Sequence, residues 1–541
     1  MPEVHFSITW PDGTVQRAGS PSTAIERFLA PGATYPVAEL RRRVRDGLTA
    51  ASERVRMRFG MACTAAAAEL DALELAAAPF RDDAPATVGP LRRGVSSLAS
   101  TAPVPRLSGH RSVVVIGGGQ AGLAVSWHLT QRGIDHVVLE RHRVAHSWRE
   151  ERWDRFCLVT PNWQCQLPGH PYAGDDPDGF MVRDQIVDYV ASYAASFDAP
   201  VVEGVAVTGV EAIAPEGDGP CWDPAEAGAR GFRVATSAGT LTADAVVLAV
   251  GGYHRPKLPR LAERLPAGVT QLHSSTYRTA EPLPDGGVLV VGSGQSGAQI
   301  AEDLHLAGRP VHLAVGSAPR VARFYRGRDV VAWLHDMGHY DMAIEDHPQG
   351  PAARHEANHY VTGRDGGRDI DLRRFATEGM TLHGRLTGID GSRITTAGDL
   401  ERHLDAADAT DDRIKDGIDR WIAARGIDAP VEDRYVPVWR PPHDGGGVLD
   451  LDAAGIRTVI WATGFRRDFS WVALPAFDGS GDPVHRRGVT AVPGLYAVGL
   501  PWLHTWGSGR FAGIARDAEH VVGHLAAQRA AAPVAPAARA A

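Results

Sequence analysis

Val113-Val114-Val115-Ile116-Gly117-Gly118-Gly119-Gln120-Ala121-Gly122 is the stretch that decides the fold. A β-branched run reads as a buried strand, the glycines as a tight turn, and the residues after them as a helix. The same order returns at Val288-Leu289-Val290-Val291 and Gly292-Ser293-Gly294-Gln295-Ser296-Gly297. A bare G-x-G-x-x-G means little in a chain with 60 glycines. Two of them, each between a strand and a helix, predict two dinucleotide sites and chemistry between two cofactors. At each site the glycines let the backbone approach a pyrophosphate, whose charge meets the free N–H groups and positive dipole end of the helix.

Outward from the first turn, a helix over 123–132 leads to the strand His136-Val137-Val138-Leu139, which ends in Glu140, 23 residues beyond Gly117. A carboxylate there accepts ribose hydroxyls and repels a 2′-phosphate, so FAD suits this site better than NADPH. At the second site the strand Val311-His312-Leu313-Ala314-Val315 is followed by Gly316-Ser317, with Arg320 and Arg323 beyond. No acid awaits a ribose diol, and arginine offers paired donors to a 2′-phosphate. NADPH is therefore expected here, read by Ser317, Arg320 and Arg323.

The 541 residues, 44% apolar and 22% charged, divide into several domains with large cores. A net charge of −8 with dispersed arginines gives no pull toward nucleic acid. No apolar stretch is long enough for a membrane span, and the N-terminus lacks a signal-peptide pattern, so a cytoplasmic protein is expected. Four cysteines (Cys63, Cys157, Cys165, Cys221) include no C-x-x-C pair. Cys157 and Cys165 read as buried thiols rather than as a redox dithiol.

A small α+β unit is expected over 1–78, with Val4–Thr9 as a strand, a turn at Pro11-Asp12-Gly13 and helix over 37–75. A linker is expected over 79–110, the oxidoreductase over 111–526 and a disordered tail over 527–541. Within the large unit, 111–255 and 455–526 are assigned to FAD, and an insert of about 285–455 to NADPH.

Taken together, these residues resemble the FAD- and NAD(P)H-dependent flavoprotein monooxygenases over about 111–525. Besides the paired turns, the resemblance rests on Trp148, on Val247-Leu248-Ala249-Val250-Gly251-Gly252, on Trp461-Ala462-Thr463-Gly464-Phe465 and on Gly494-Leu495-Tyr496-Ala497-Val498-Gly499. It implies an α/β fold with two Rossmann-like domains, and roles for Gln120, Trp148, Gly251, Gly464 and Gly499 beside the cofactors. More closely, Leu158-Val159-Thr160-Pro161-Asn162-Trp163, Leu167-Pro168-Gly169 and Leu503-His504-Thr505-Trp506-Gly507-Ser508-Gly509 look like the flavin-dependent oxidoreductase of nitrilase-containing, nitrogen-starvation gene clusters. The first 75 or so residues are similar to a separate small protein of those clusters, which implies a natural fusion. Of the monooxygenase fingerprint F-x-G-x-x-x-H-x-x-x-(F/Y), only His273 and Tyr277 survive. Ala267 and Val269 stand at the other two positions.

The resemblance implies oxygenation of a small nitrogen-containing or nitrile-related metabolite through a C4a-peroxyflavin. Asn162 matches an asparagine beside the flavin, or else is simply a turn residue after proline. Trp163, Trp502 and Trp506 are candidate pocket walls, and His504 a proton donor or acceptor. The substrate and molecular oxygen are the expected small-molecule partners; self-association and partner proteins of the same cluster stay open. An oxidase or reductase with the same cofactors, and a flavin-binding redox sensor or assembly protein, are the rival functions. His355-Glu356-Ala357-Asn358-His359 matches H-E-x-x-H, but among 23 histidines such pairs arise by chance, and no metal is expected.

Overall fold

A computed structural model describes residues 4–20, 22–59, 79–93, 106–213 and 231–531, and isolated positions between 69 and 77. The chain forms two compact units, Met1–Val104 and Pro105–Ala541.

In the small unit, Val4, Phe6, Ile8 and Trp10 alternate inward along the first strand, as a half-buried strand requires. The hairpin to Val15–Ser20 closes at Gly13, whose φ of +85° suits glycine. The helix Val37–Phe59 covers the sheet with Leu40, Val44 and Leu48; most of the helix expected beyond it, to 75, lies outside the described residues. The stretch expected to be a linker is in part core: Pro85–Val88 pairs with both Val4–Thr9 and Thr34–Pro36, and Arg92–Arg93 pairs with the first strand. Ala86 and Val88 are fully buried there. Short Ala- and Pro-rich sequence hid a strand whose partners lie some 50 to 80 residues upstream. Residues 94–105 of the expected linker lie outside the described ones.

The large unit carries two parallel-sheet modules. The first centres on His110–Ile116, flanked in parallel by His136–Leu139 and Gly239–Leu248, with Leu495–Ala497 adding to the latter. The second is a five-stranded parallel sheet ordered Thr270–His273, Ile456–Trp461, Gly287–Val291, Val311–Ala314, Thr381–His383. Ile456–Trp461, which the sequence assigned to the FAD segment, thus lies inside the second sheet, and the insert spans 270–461 rather than 285–455. Both central strands are apolar on both faces, as sheets covered on each side demand: Val113, Val114, Val115, Val288 and Val290 are all fully buried. The C-terminal helix Ile514–Ala531 packs on Gln120–Gln131, so the tail expected from 527 begins as helix; residues 532–541 lie outside the described ones. Among the described residues, no helix is long and apolar enough to cross a membrane.

Candidate functional site

The two glycine turns are built alike. Gly117 and Gly292 take φ of +114° and +102°, and a Cβ on them would strike the carbonyls of Ala249 and Ala462 at 2.5 and 2.7 Å. A Cβ on Gly122 or Gly297 would lie 1.9 Å from the carbonyl of Gly117 or Gly292, so these glycines let helix and strand close up. The segments 247–252 and 461–465 therefore play matching parts, each backing one turn. Gly251, Gly464 and Gly499 all have positive φ.

Gly119 and Gly294 differ from these: a Cβ on either meets nothing within 4 Å. Each is the N-cap of its helix, Gln120–Gln131 or Gln295–Leu306, without a side-chain cap and without an acidic residue in the first turn. Two helix N-termini with free N–H groups, an uncompensated positive end and open space fit a pyrophosphate.

Beyond the turns the sites diverge. Glu140 Oε2 accepts from the Gly118 N–H at 2.7 Å and Oε1 from the His142 N–H at 2.8 Å. Each oxygen keeps capacity for a ribose hydroxyl. At the second site the matching bond runs from the Gly316 N–H to Ser293 Oγ, at 2.9 Å, so a neutral hydroxyl replaces the carboxylate. Ser317 is exposed next to it, and Ser296 lies half-buried in the first helical turn. Gln120 donates to the Gly509 carbonyl at 3.2 Å and accepts from the Trp148 indole at 3.1 Å, which ties the first helix to the 503–509 segment. Gln295 and Gln299 both donate to the Val361 carbonyl.

Arg320 and Arg323 are not free to read a phosphate. Arg320, 5% exposed, ion-pairs with Asp408 at 2.5 Å and Asp411 at 3.3 Å, and these acids push its pKa up against burial. Arg323, 1% exposed, is forked onto Asp329 and donates to the Val159 carbonyl. The expectation that they bind the 2′-phosphate is corrected: both side chains are buried and held by Asp408, Asp411, Asp329 and the Val159 carbonyl. Asn162 is corrected likewise. Its Oδ1 accepts from the Met181 N–H at 2.7 Å and its Nδ2 donates to the Asp176 carbonyl at 2.9 Å, so a side chain 4% exposed is consumed in holding the 176–181 loop.

His504 lies half-buried, its backbone bonded to Ser508 Oγ and to the Ile344 N–H, and its ring within electrostatic reach of buried Asp517. The three tryptophans all meet the insert: Trp163 packs edge-on to His335, Trp502 edge-on to His347, and Trp506 against Tyr340 at 4.5 Å. The two fingerprint survivors act as anchors. His273 Nε2 lies 3.0 Å from the Gly464 carbonyl, and the Tyr277 hydroxyl donates to Asp303 at 2.7 Å. Cys157 and Cys165 are free, buried thiols, pushed up by burial to about 11 and about 12. His355 ends a short 3₁₀ turn and His359 lies beyond it, so H-E-x-x-H has no helix to set its histidines on one face. Among the described residues no three metal-ligating side chains converge. Reading the sequence missed Arg152, Tyr253 and Arg510, which stand beside quoted motifs without belonging to any.

The arrangement defines a two-dinucleotide oxidoreductase. Residues 5–91 match the nitrogen starvation-induced protein NitG family, and residues 114–336 the pyridine nucleotide-disulphide oxidoreductase family. An uncharacterized CzcO-like oxidoreductase of Geobacillus kaustophilus is 30% identical over 420 residues, covering 76% of this chain and 97% of the relative. The chain belongs to the CzcO-like oxidoreductases, with a NitG unit joined in front. The indole-3-pyruvate monooxygenase YUCCA4 of Oryza sativa subsp. japonica is 35% identical over 199 residues, 35% of this chain and 44% of that protein. A mutant flavin monooxygenase of Stenotrophomonas maltophilia shares the fold, with a TM-score of 0.53 at 20% identity, over 78% of this chain and 99% of that one.

Proposed function

We propose that the chain is an NADPH-dependent FAD monooxygenase of the cytoplasm that oxygenates a small nitrogen-containing or nitrile-related metabolite, with its NitG unit as the attachment point for a partner protein or a second copy. The observation that carries this reading is the pair of open N-caps, Gly119 and Gly294, in modules that then diverge at Glu140 and Gly316. FAD belongs to the first, where Glu140 holds the ribose hydroxyls. NADPH belongs to the second, where no carboxylate repels the 2′-phosphate. Bound FAD supplies the two-electron chemistry that links NADPH to oxygen.

The chain's own residues bind and align. Backbone N–H groups at Gln120 and Gln295, the first residues of the two helices, would hold the two pyrophosphates. Gln120 and Trp148 fix the first helix against the C-terminal segment, and His273, bonded to the Gly464 carbonyl, fixes how the second module meets the first. Trp163, Trp502 and Trp506, packed against His335, His347 and Tyr340 of the insert, would line the approach of the substrate to the flavin. His504, held through its backbone by Ser508 and Ile344, is the group assigned to proton transfer.

The test is turnover of the holoprotein with NADPH under ¹⁸O₂ against a panel of small amines, nitriles and acids. Monooxygenation places one labelled atom in the product per NADPH. Peroxide formed in full stoichiometry with NADPH, with no label in any product, makes the protein an oxidase instead.

A further inference from the structure

The most buried arginines of the large unit end on acids: Arg320 on Asp408 and Asp411, Arg323 on Asp329, Arg373 on Asp405 and Asp408. Arg152 and Arg510 are different. Among the described residues, neither has a carboxylate within ion-pair distance. Arg152 donates to the Glu151 carbonyl at 2.8 Å, and its guanidinium lies over the rings of Trp148, Tyr253 and Phe156 at 5.2, 5.6 and 5.8 Å. Arg510 donates to the Trp506 carbonyl and, at 2.9 Å, to Asn358 Oδ1, and lies 3.7 Å over the Trp506 ring. Burial lowers the pKa of both, opposed first by the phenol of Tyr253. Two half-buried cations on aromatic faces, both near Tyr253 and neither ion-paired, though Glu151 lies within electrostatic reach of Arg152, leave donors that an anion can take.

Their place narrows which anion. Tyr253 stands two residues beyond Gly251, at the strand end that backs the first turn. Trp148 bonds Gln120 and stacks on Phe511 at 5.7 Å, which sets Arg152 beside the cofactor helix. Arg510 is drawn the other way, toward the insert, by Asn358 and by Trp506 with its neighbour Tyr340. The two guanidiniums thus lie between the first cofactor helix and the insert. Guanidinium forks match carboxylates in pairs, and the surrounding rings suit a flat or apolar body.

We propose that Arg152 and Arg510 form a carboxylate-binding site, so that the substrate is a small organic acid with a planar or apolar body. The inference rests on FAD occupying the first module. The FAD diphosphate is the other source of an anion, and the experiment separates the two.

Holoprotein is titrated with benzoate and with benzamide, its neutral match, while the visible absorbance of the bound flavin is followed. Benzoate is expected to bind saturably, and benzamide at least about ten-fold more weakly, since only the first offers a charge to the forks. Arg152→Met and Arg510→Met should each weaken benzoate about ten-fold or more at unchanged flavin content. Arg152→Lys and Arg510→Lys, which keep the charge and are the variants read if a methionine form does not fold, should fall between. Equal affinity for the two probes in wild type, or unchanged benzoate affinity in the variants, overturns the site. So does loss of flavin from folded variants, since the anion is then the cofactor's diphosphate. A wild-type protein that takes up no flavin at all overturns the reading of the first module instead, and is seen before any probe is added.

Discussion

The two glycine turns are near copies, yet the residues just past them are not. In both, positive φ at the first glycine, a carbonyl pressed against it and a missing Cβ at the last glycine create the same open N-cap. In the first, the neighbouring strand delivers a carboxylate to the Gly118 N–H. In the second, that geometry is inverted, and a serine within the turn receives an N–H from the strand end. On the proposed assignment, what is common would face the pyrophosphate, which both cofactors share, and what differs would face the ribose, which they do not.

The comparison breaks most sharply at the N-caps. Gly119→Trp should fold, because its Cβ position is open, but should purify colourless, an FAD loss of more than about 4 kcal/mol. Gly294→Trp should stay yellow and lose reduction by NADPH. Flavin absorbance, circular dichroism and stopped-flow reduction read all three properties, and a yellow Gly119→Trp variant would mean that the modules are assigned the wrong way round.

The next effect concerns stability alone. Arg320→Ala removes the cation that Asp408 and Asp411 share but leaves them Arg373 and Lys415, so it should destabilise the protein by about 2–3 kcal/mol while the ratio of NADPH to NADH efficiency stays put. Thermal unfolding beside steady-state kinetics checks this, and a ratio that collapses at unchanged stability would restore the arginine to the 2′-phosphate. The smallest effects sharpen the ribose contrast. Glu140→Ala should weaken FAD by about 2–3 kcal/mol, as hydrogen bonds to a charged group are lost, and Ser293→Ala should weaken NADPH by about 1 kcal/mol. Equal losses in the two titrations would erase the distinction between the two ribose sites.

The turns and Glu140 were legible in the sequence because each is local: strand, glycines, helix and next strand succeed one another within 30 residues. Arg320 was misread because what holds it is distant, and Arg323 because neither its near partner, Asp329, nor its far one, the Val159 carbonyl, is marked by a motif. Asp408 and Asp411 come from the long helix Leu400–Arg425, some 90 residues on, and no local pattern links them. Asn162 was misread because its bonds to Asp176 and Met181, 14 and 19 residues on, follow from no local pattern. Arg152 and Arg510 carried no signal at all, since what marks them is the absence of an acid in space. The same blindness to distant pairing placed a linker over Pro85–Val88 and gave Ile456–Trp461 to the wrong sheet.

The threading of the first module also sets the order in which the protein is finished during synthesis. Its strand Gly239–Leu248 waits for Leu495–Ala497, its helix Gln120–Gln131 for Ile514–Ala531, and Gln120 for the carbonyl of Gly509. The second module needs nothing beyond Trp461 to complete its sheet. A chain leaving the ribosome therefore closes its later-encoded module before its earlier one, and the half that began first is sealed only when nearly the last helix has emerged. Removing residues 502–531 would for that reason strike the cofactor site encoded farthest from them.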